Sequence, residues 1–329
     1  MSESEIISGA VRAVPWTPGS GVRPPFPDVI DSTSRSSFVS CPTKFYWEWI
    51  RRLTLAEKSP DLIAGAAFAH GLEVFRKKFY AEHLSLEDSH AAGLVALTES
   101  YGNYEPPEGH VKTWERMAGA LDAYLKQYPP ATDYIQPHIQ DGKPSVEFSF
   151  AIPLDIPHPT TGMPLMYGGR FDLIGIYQDM LFVVDEKTTK QLGYTWLNQW
   201  DMRGQFMGYC LAAIMLGKLP VAGAIVRGIS ILKHDYGHAE VILPIQHWQL
   251  EKWFEQMKRD VRRMIVAWES GIWDQAFDSA CASYSGCSMK RLCLSPEPEA
   301  WISNFYIRNE WNPLRANPEE TNNGPTSIS

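Results

Sequence analysis

The sequence predicts a mixed α/β fold, ordered as helix, three strands, helix and strand around a central sheet. Three observations predict it. Between residues 145 and 189 the apolar period changes from helical to strand-like; a helical segment at 195–218 then precedes a β-branched run at 221–233; and helical patterns at 61–84 and 248–269 flank the whole. A helix between two strands of one sheet crosses from one to the next, which makes the core an α/β layer structure.

The elements follow in chain order. Residues 1–30 are rich in Pro, Gly and Ser and read as an irregular leader. Serines in DSTSRSSF (31–38) are helix N-cap candidates, and Pro42 suits the first turn of a helix in CPTKFYWEWIRRL. Helical patterning returns at 61–84 and around 110–127. SVEFSFAI (145–152) alternates as a strand does, and GGRFDLIGIY (168–177) and LFVVDEKTT (181–189) read as two more, joined by a polar turn at Gln178–Asp179. TWLNQWDMRGQFMGYCLAAIMLGK (195–218) has helical length and period, VAGAIVRGISILK (221–233) suits a central strand, and HAEVILPI (238–245) a further one. In the amphipathic helix at 248–269, Ile245, Trp248, Met257, Val261, Met264 and Trp268 read as the core stripe. The expected organisation is a leader (1–30), one domain (31–295) and a tail (296–329) that is disordered beyond about residue 315.

Composition bounds the function. An apolar fraction of 44% can fill a sizeable core, and a charged fraction of 21% excludes a chain disordered throughout. No run approaches the roughly 20 apolar residues that span a bilayer, and the first residues show no secretory signal, so a soluble cytoplasmic protein is expected. The net charge of −8 excludes a generally basic nucleic-acid coat. It leaves room for a local basic strip, and carboxylates that hold a cation also count as negative. No G-x-x-x-x-G-K-[ST] loop occurs, so no ATP-driven helicase is expected in this chain.

Asp172 lies in GGRFD on one strand, and Asp185, Glu186 and Lys187 follow the apolar run LFVV at the end of the next. Unpaired charge at the end of a buried strand is costly, and the usual remedies are ion pairing or a bound cation. Carboxylates plus water suit Mg²⁺ or Mn²⁺ and leave room for a substrate phosphate. Lys187, two residues after Asp185, shares its face because strand side chains alternate. Taken singly, each of these residues has a bland reading: a solvated turn, a hairpin cap, an ordinary helix pair. Their order along the predicted elements makes the functional reading.

Three of the five cysteines, Cys281, Cys287 and Cys293, fall near the C-terminus as C-x5-C-x5-C, and Cys41 lies far upstream. That spacing suits loops or short turns. Four thiolates from two segments suit zinc or an iron–sulfur cluster. Cys210, inside the apolar run GYCLAAIML, reads as a buried core thiol.

With Asp172 and Asp185-Glu186-Lys187, the chain resembles the PD-(D/E)XK nuclease superfamily. It looks most like the RecB-like exonuclease branch, in which a G-R-x-D strand precedes an apolar strand ending in D-x-K-T. Gln205 and Tyr209 in GQFMGY match that branch's Q-x-x-x-Y helix motif, and Glu147 lies where an acidic residue often stands on the first core strand. The resemblance runs over residues 36–295 and implies a restriction-endonuclease-like αβββαβ core with a mixed central sheet and flanking helices. It implies that Asp172, Asp185 and the Glu186 backbone carbonyl hold Mg²⁺ or Mn²⁺, helped by Glu147 or His70. Lys187 would position the attacking water, with Gln205 and Tyr209 supporting the site. Family members commonly carry Gly-x-x-x-His; here Gly65 to His70 is one residue longer, and Glu73 on the same helical face is a substitute.

Iron–sulfur members of this branch, such as CRISPR-associated exonucleases and the AddB nuclease domain, carry one Cys before the core and three after it. Their trio is usually C-x2-C-x5-C, so Cys287 and Cys293 match and Cys281 lies three residues further upstream. The implied cofactor is a [4Fe–4S] cluster on Cys41, Cys281, Cys287 and Cys293, with zinc as the alternative. The implied reaction is metal-dependent hydrolysis of DNA from strand ends, with a single-stranded end as substrate, in bacterial or phage DNA processing. Arg259 and Arg263, which share a helical face with Lys252, are candidates for the DNA backbone, against the plainer reading of solvated ion pairs. A non-catalytic DNA-binding adaptor on the same fold is the competing expectation.

Overall fold

The computed structural model describes residues 23–57, 59–282 and 286–309, the side chains of residues 147, 148, 278 and 279 excepted. In chain order the main elements are α1 (Ser32–Ser40), α2 (Pro60–Arg76), α3 (Leu86–Tyr101), α4 (Trp114–Gln127), β1 (Val146–Pro157), β2 (Pro164–Tyr177) and β3 (Met180–Thr189). They continue with α5 (Gly204–Gly217), β4 (Val221–Ile231), β5 (Tyr236–Pro244) and α6 (His247–Ser270). The described residues fall into two compact units. One draws on residues 57–152 and 167–255; the other on residues 23–56, 153–166 and 256–309.

The first unit holds the sheet. Its path runs β2-β3-β4-β5, with β1 paired to β2. The β2/β3 and β4/β5 pairs are antiparallel and β3/β4 is parallel, so the sheet is mixed, as predicted. Gln178 and Asp179 both have positive φ (48° and 61°), with Tyr177 opposite Met180, so the predicted turn is a tight hairpin whose twist matches that of its strands. Ten of the eleven residues of β4 are buried, which explains its largely apolar character, broken only by Arg227 and Ser230: a central strand is covered on both faces.

The predicted helix at 195–218 is not continuous. A short turn at Tyr194–Leu197 ends where the Asn198 side chain donates to the Tyr194 carbonyl (2.7 Å), and α5 starts only at Gly204. The polar stretch around Asn198 and Asp201 interrupts a pattern that looked unbroken in composition. Helix α3 has no counterpart among the expectations, because small residues blur its periodicity. Those same residues explain its place: a Cβ on Gly71 would meet the Gly93 carbonyl oxygen at 2.9 Å, and one on Gly93 would meet that of Gly71 at 2.8 Å. The backbones of α2 and α3 touch at this crossing.

Trp248 is a second correction, being 61% exposed. The buried stripe of α6 runs Leu250, Trp253, Met257, Val261 and Met264, and Trp248 stands two residues ahead of it on the other side.

In the second unit, α1 is capped by Asp31 rather than by one of the serines. The Ser34 N–H donates to Asp31 Oδ1 (2.7 Å), and the Asp31 N–H donates to Ser34 Oγ (2.9 Å). Cys41 ends α1 and starts the turn Pro42–Phe45, where Pro42 holds the predicted first-turn position. Strand Leu53–Leu55 pairs with Tyr306–Arg308. Of the predicted leader, Phe26 and Ile30 are buried; residues 1–22 and the predicted disordered tail lie outside the described residues. No helix among the described residues is long and apolar enough to cross a membrane.

Candidate active site

Two strands bring the acidic residues together. Leu173 stands opposite Val184 in the β2/β3 ladder, so one step further Asp172 stands opposite Asp185, and directly opposed residues point to the same face. The Glu186 N–H donates to Asp172 Oδ2 (3.3 Å). Burial and the charges of Asp185 and Glu186 push the Asp172 carboxyl up to about 7. Burial pushes Asp185 up as well, against the pull of Lys187.

Strand alternation divides the triplet. Asp185 and Lys187 face α5: Gln205 Nε2 donates to Asp185 Oδ1 (3.0 Å) and reaches the Tyr209 hydroxyl oxygen (3.0 Å), while Lys187 Nζ lies 2.7 Å from Asp185 Oδ2. Gln205 and Tyr209 are one helical turn apart, which is why both reach the site. Burial alone would favour neutral Lys187, but Asp185 and Asp172 hold its proton above the ordinary lysine range. Lys187 is therefore a cation here and not a base.

Glu186 faces the other way, toward α2 and α4. Arg76 grips its carboxylate with both guanidinium nitrogens, one of them at 3.0 Å, and the Tyr124 hydroxyl donates to Oε1 at 2.8 Å. Burial works against this charge, yet Arg76 and Tyr124 hold the Glu186 carboxyl below its ordinary range. The side chain of Glu186 is thus engaged away from Asp172 and Asp185, and only its backbone remains for the ligand role expected of it.

Asp172, Asp185, Glu186, Lys187, Gln205 and Tyr209 line a cleft of about 1010 Å³, with Arg170, Glu73 and His70 in its wall. Glu73 is buried and accepts from Lys77 Nζ (2.9 Å) and from Arg170, with His70 Nδ1 3.3 Å away. Burial raises the Glu73 carboxyl, but Arg170 and Lys77 bring it below the ordinary value. Glu73 is thus already neutralised by cations of this chain. Glu147 lies on β1, but its side chain falls outside the described residues.

Does this set suit a divalent cation? Asp185 Oδ2 is buried and accepts no aligned hydrogen bond, although the Lys187 ammonium lies 2.7 Å away. It faces a second carboxylate at Asp172 whose charge is itself disfavoured. Buried carboxylate oxygens that lack hydrogen bonds are what a hard cation satisfies. Among the described residues no group of three or more His, Cys, Asp or Glu side chains is arranged to hold a metal ion. The core of the expected set is two carboxylates and a backbone carbonyl, and His70, expected to help, does not complete such a group; the Glu147 side chain lies outside the described residues.

The four cysteines lie in the other unit, all as free thiols. Cys41 Sγ accepts from the Ala276 N–H (3.4 Å), Cys281 Sγ donates to the Ala276 carbonyl (3.8 Å), and the Cys287 N–H donates to the Cys281 carbonyl (3.2 Å). Burial, and then the charges of Cys41, Cys287 and Cys281, push the Cys293 thiol up to about 11. The four sulfurs therefore share one neighbourhood, although no three of them stand in a ligating arrangement. Cys281 ends the short 3-10 turn Asp278–Cys281 and Cys287 lies on irregular chain, in line with loops or short turns, whereas Cys293 belongs to the short helix Lys290–Leu294. Cys210 is buried in α5, and burial pushes its thiol up to about 12.

Arg259 and Arg263 are exposed on α6 and are not among the residues lining the cleft. Arg263 lies 3.4 Å from Asp260 Oδ1 and over the Phe38 ring at 5.7 Å. The cations that do line the cleft are Arg76, Arg170 and Lys187. Arg170 was legible in GGRFD, since it stands two residues from Asp172 on the same strand face. Tyr124 had no local signal; only the packing of α4 brings it to Glu186.

A model of the PD-(D/E)XK nuclease superfamily matches residues 32–294. No match is found among curated proteins. Among solved structures, a Eubacterium rectale protein described as a "putative exonuclease" is 10% identical, with a TM-score of 0.47, over 78% of this chain and 88% of that one. A second, SSO0001, is 12% identical with a TM-score of 0.32, over 70% of this chain and 84% of that one. At these scores neither likeness carries an argument.

Proposed function

Because this chain belongs to the PD-(D/E)XK nuclease superfamily, whose members are typically metal-dependent nucleases, we propose that it is a Mg²⁺- or Mn²⁺-dependent exonuclease acting on DNA ends. The observation that carries the reading is the opposed pair Asp172 and Asp185, with Lys187 on the same face and a cleft of about 1010 Å³ in front of them.

Asp172, Asp185 and the Glu186 backbone carbonyl would hold the cation. When bound, such an ion supplies Lewis-acid polarisation of the phosphate and neutralises its charge. Lys187, kept protonated by the two aspartates, donates to the attacking water and stabilises the negative charge that develops on the phosphoryl oxygens. Gln205 fixes the rotamer of Asp185 and links it to Tyr209. His70 joins through its second ring nitrogen, since Nδ1 faces Glu73. Arg259 and Arg263 contact the strand backbone, and the substrate presents a single-stranded end. The four neighbouring free thiols Cys41, Cys281, Cys287 and Cys293 hold a [4Fe–4S] cluster, zinc being the alternative, with a structural role in their unit.

The test incubates end-labelled single- and double-stranded DNA with the protein, with and without Mn²⁺, beside Asp185→Ala and Lys187→Ala. Metal-dependent shortening from the ends that both substitutions remove is the expected result. Degradation that survives both dismisses the site. Binding without degradation by the unaltered protein favours the adaptor reading.

A further inference from the structure

Glu186 follows Asp185 directly on β3, beside two carboxylates, yet its own carboxylate is turned to the opposite face of the strand and held there. It is gripped at three points. Arg76 takes both carboxylate oxygens, the Tyr124 hydroxyl donates to Oε1 at 2.8 Å, and the Glu186 N–H donates to Asp172 Oδ2 at 3.3 Å. The side chains of Arg76 and Glu186 are each 5% exposed, so this ion pair is shielded from screening and its geometry is tightly set. A bidentate guanidinium–carboxylate pair fixes orientation as well as distance. The anchors come from two helices, α2 and α4, while the acidic pair sits on β2 and β3.

We propose that Arg76 and Tyr124 are positioning residues for the cation site. By binding the Glu186 side chain on the α2 and α4 side of β3, they fix the peptide whose carbonyl joins Asp172 and Asp185, and they keep the third carboxylate out of the ligand set. The inference rests on the reading of Asp172 and Asp185 as cation ligands. Outer partners that orient a ligand contribute about 10- to 100-fold in metal affinity when removed. A Glu186 carboxylate left loose beside the pair would instead add a third negative charge to it.

The experiment titrates Mn²⁺ into the metal-free full-length protein, without DNA, and follows free Mn²⁺ by electron paramagnetic resonance. Asp185→Asn is the control for the site. Tyr124→Phe removes one hydrogen bond and little volume; Arg76→Met removes both guanidinium contacts to Glu186 and leaves the one from Tyr124. Thermal unfolding of each variant is recorded in parallel. Tyr124→Phe is expected to weaken Mn²⁺ binding about tenfold while unfolding stays cooperative, and Arg76→Met to weaken it further. Unchanged affinity in Tyr124→Phe overturns the proposal and leaves Arg76 and Tyr124 as packing residues. Tighter binding in Arg76→Met also overturns it, because Glu186 would then be a ligand that Arg76 withholds. Should Arg76→Met fail to fold, Tyr124→Phe decides alone. Wild-type protein that binds no Mn²⁺, or an Asp185→Asn variant that binds as well as wild type, refutes the cation site itself, a result distinct from the other two.

Discussion

Lys187 Nζ lies 2.7 Å from Asp185 Oδ2, an ion pair between residues i and i+2 on one face of β3. The pair keeps the ammonium charged inside a cleft and leaves Asp185 Oδ2 without an aligned hydrogen bond.

Lys187→Met should therefore slow turnover sharply with little effect on binding. The ammonium acts on charge that develops only in the transition state, and losing one such donor costs about 10²–10³-fold in rate. Single-turnover cleavage compared with DNA binding on the same preparation separates the two quantities. An equal loss in both would make Lys187 a substrate-binding residue instead.

Asp172→Asn should have opposite effects with and without metal. In chelator the substitution removes a buried carboxylate that faces Asp185, so thermal stability rises. In excess Mg²⁺ the wild type gains about 2.7 kcal/mol at a hundredfold excess over Kd, and the variant loses most of that gain. Paired melting curves in chelator and in Mg²⁺ make the comparison. A variant less stable than wild type in chelator would mean that Asp172 serves the fold through its charge.

Gly208→Ala tests how α5 carries Gln205 and Tyr209. A Cβ at Gly208 would lie 1.9 Å from the hydroxyl oxygen of Tyr167, which is wholly buried on β2. The helix must shift or Tyr167 must move, and overpacking of this kind costs about 1–3 kcal/mol. Activity should fall by more than that loss explains, because the Gln205–Asp185 bond depends on the same helix position. Activity per folded molecule that matches wild type would dissociate the helix from the site.

Two cysteine variants separate a ligand from a core thiol. Cys293→Ser should remove the broad visible absorbance of protein purified without oxygen, along with its iron. Cys210→Ser should keep both and lower stability by about 1–3 kcal/mol, the range for burying a hydroxyl that lacks a partner. A colourless wild type that contains zinc would leave the four thiols as ligands of a different centre. One that contains neither metal would dismiss the cluster.

Much of the site was readable along the chain because strands obey a period of two and helices one of 3.6. From Asp185 and Lys187 alone, the shared face follows; from Gln205 and Tyr209, the shared helix turn. The hairpin at Gln178–Asp179 was readable for a similar reason, as polar residues that accept positive φ between two apolar runs. What the local pattern misjudged were the break near Asn198, the crossing of Gly71 on Gly93, and Trp248, which lies outside the stripe of α6.

By itself, then, the order of residues determined the mixed α/β class, the strand that carries Asp185-Glu186-Lys187 and the division of that triplet between two faces. Only the tertiary structure decided what each face meets. One receives Gln205 from α5, while the other receives Arg76 and Tyr124 from helices some 110 and 62 residues away in the chain. Periodicity is a local property of the backbone and can be read from neighbours. The choice of partner for a buried charge is settled by packing between distant elements, and no stretch of sequence records it.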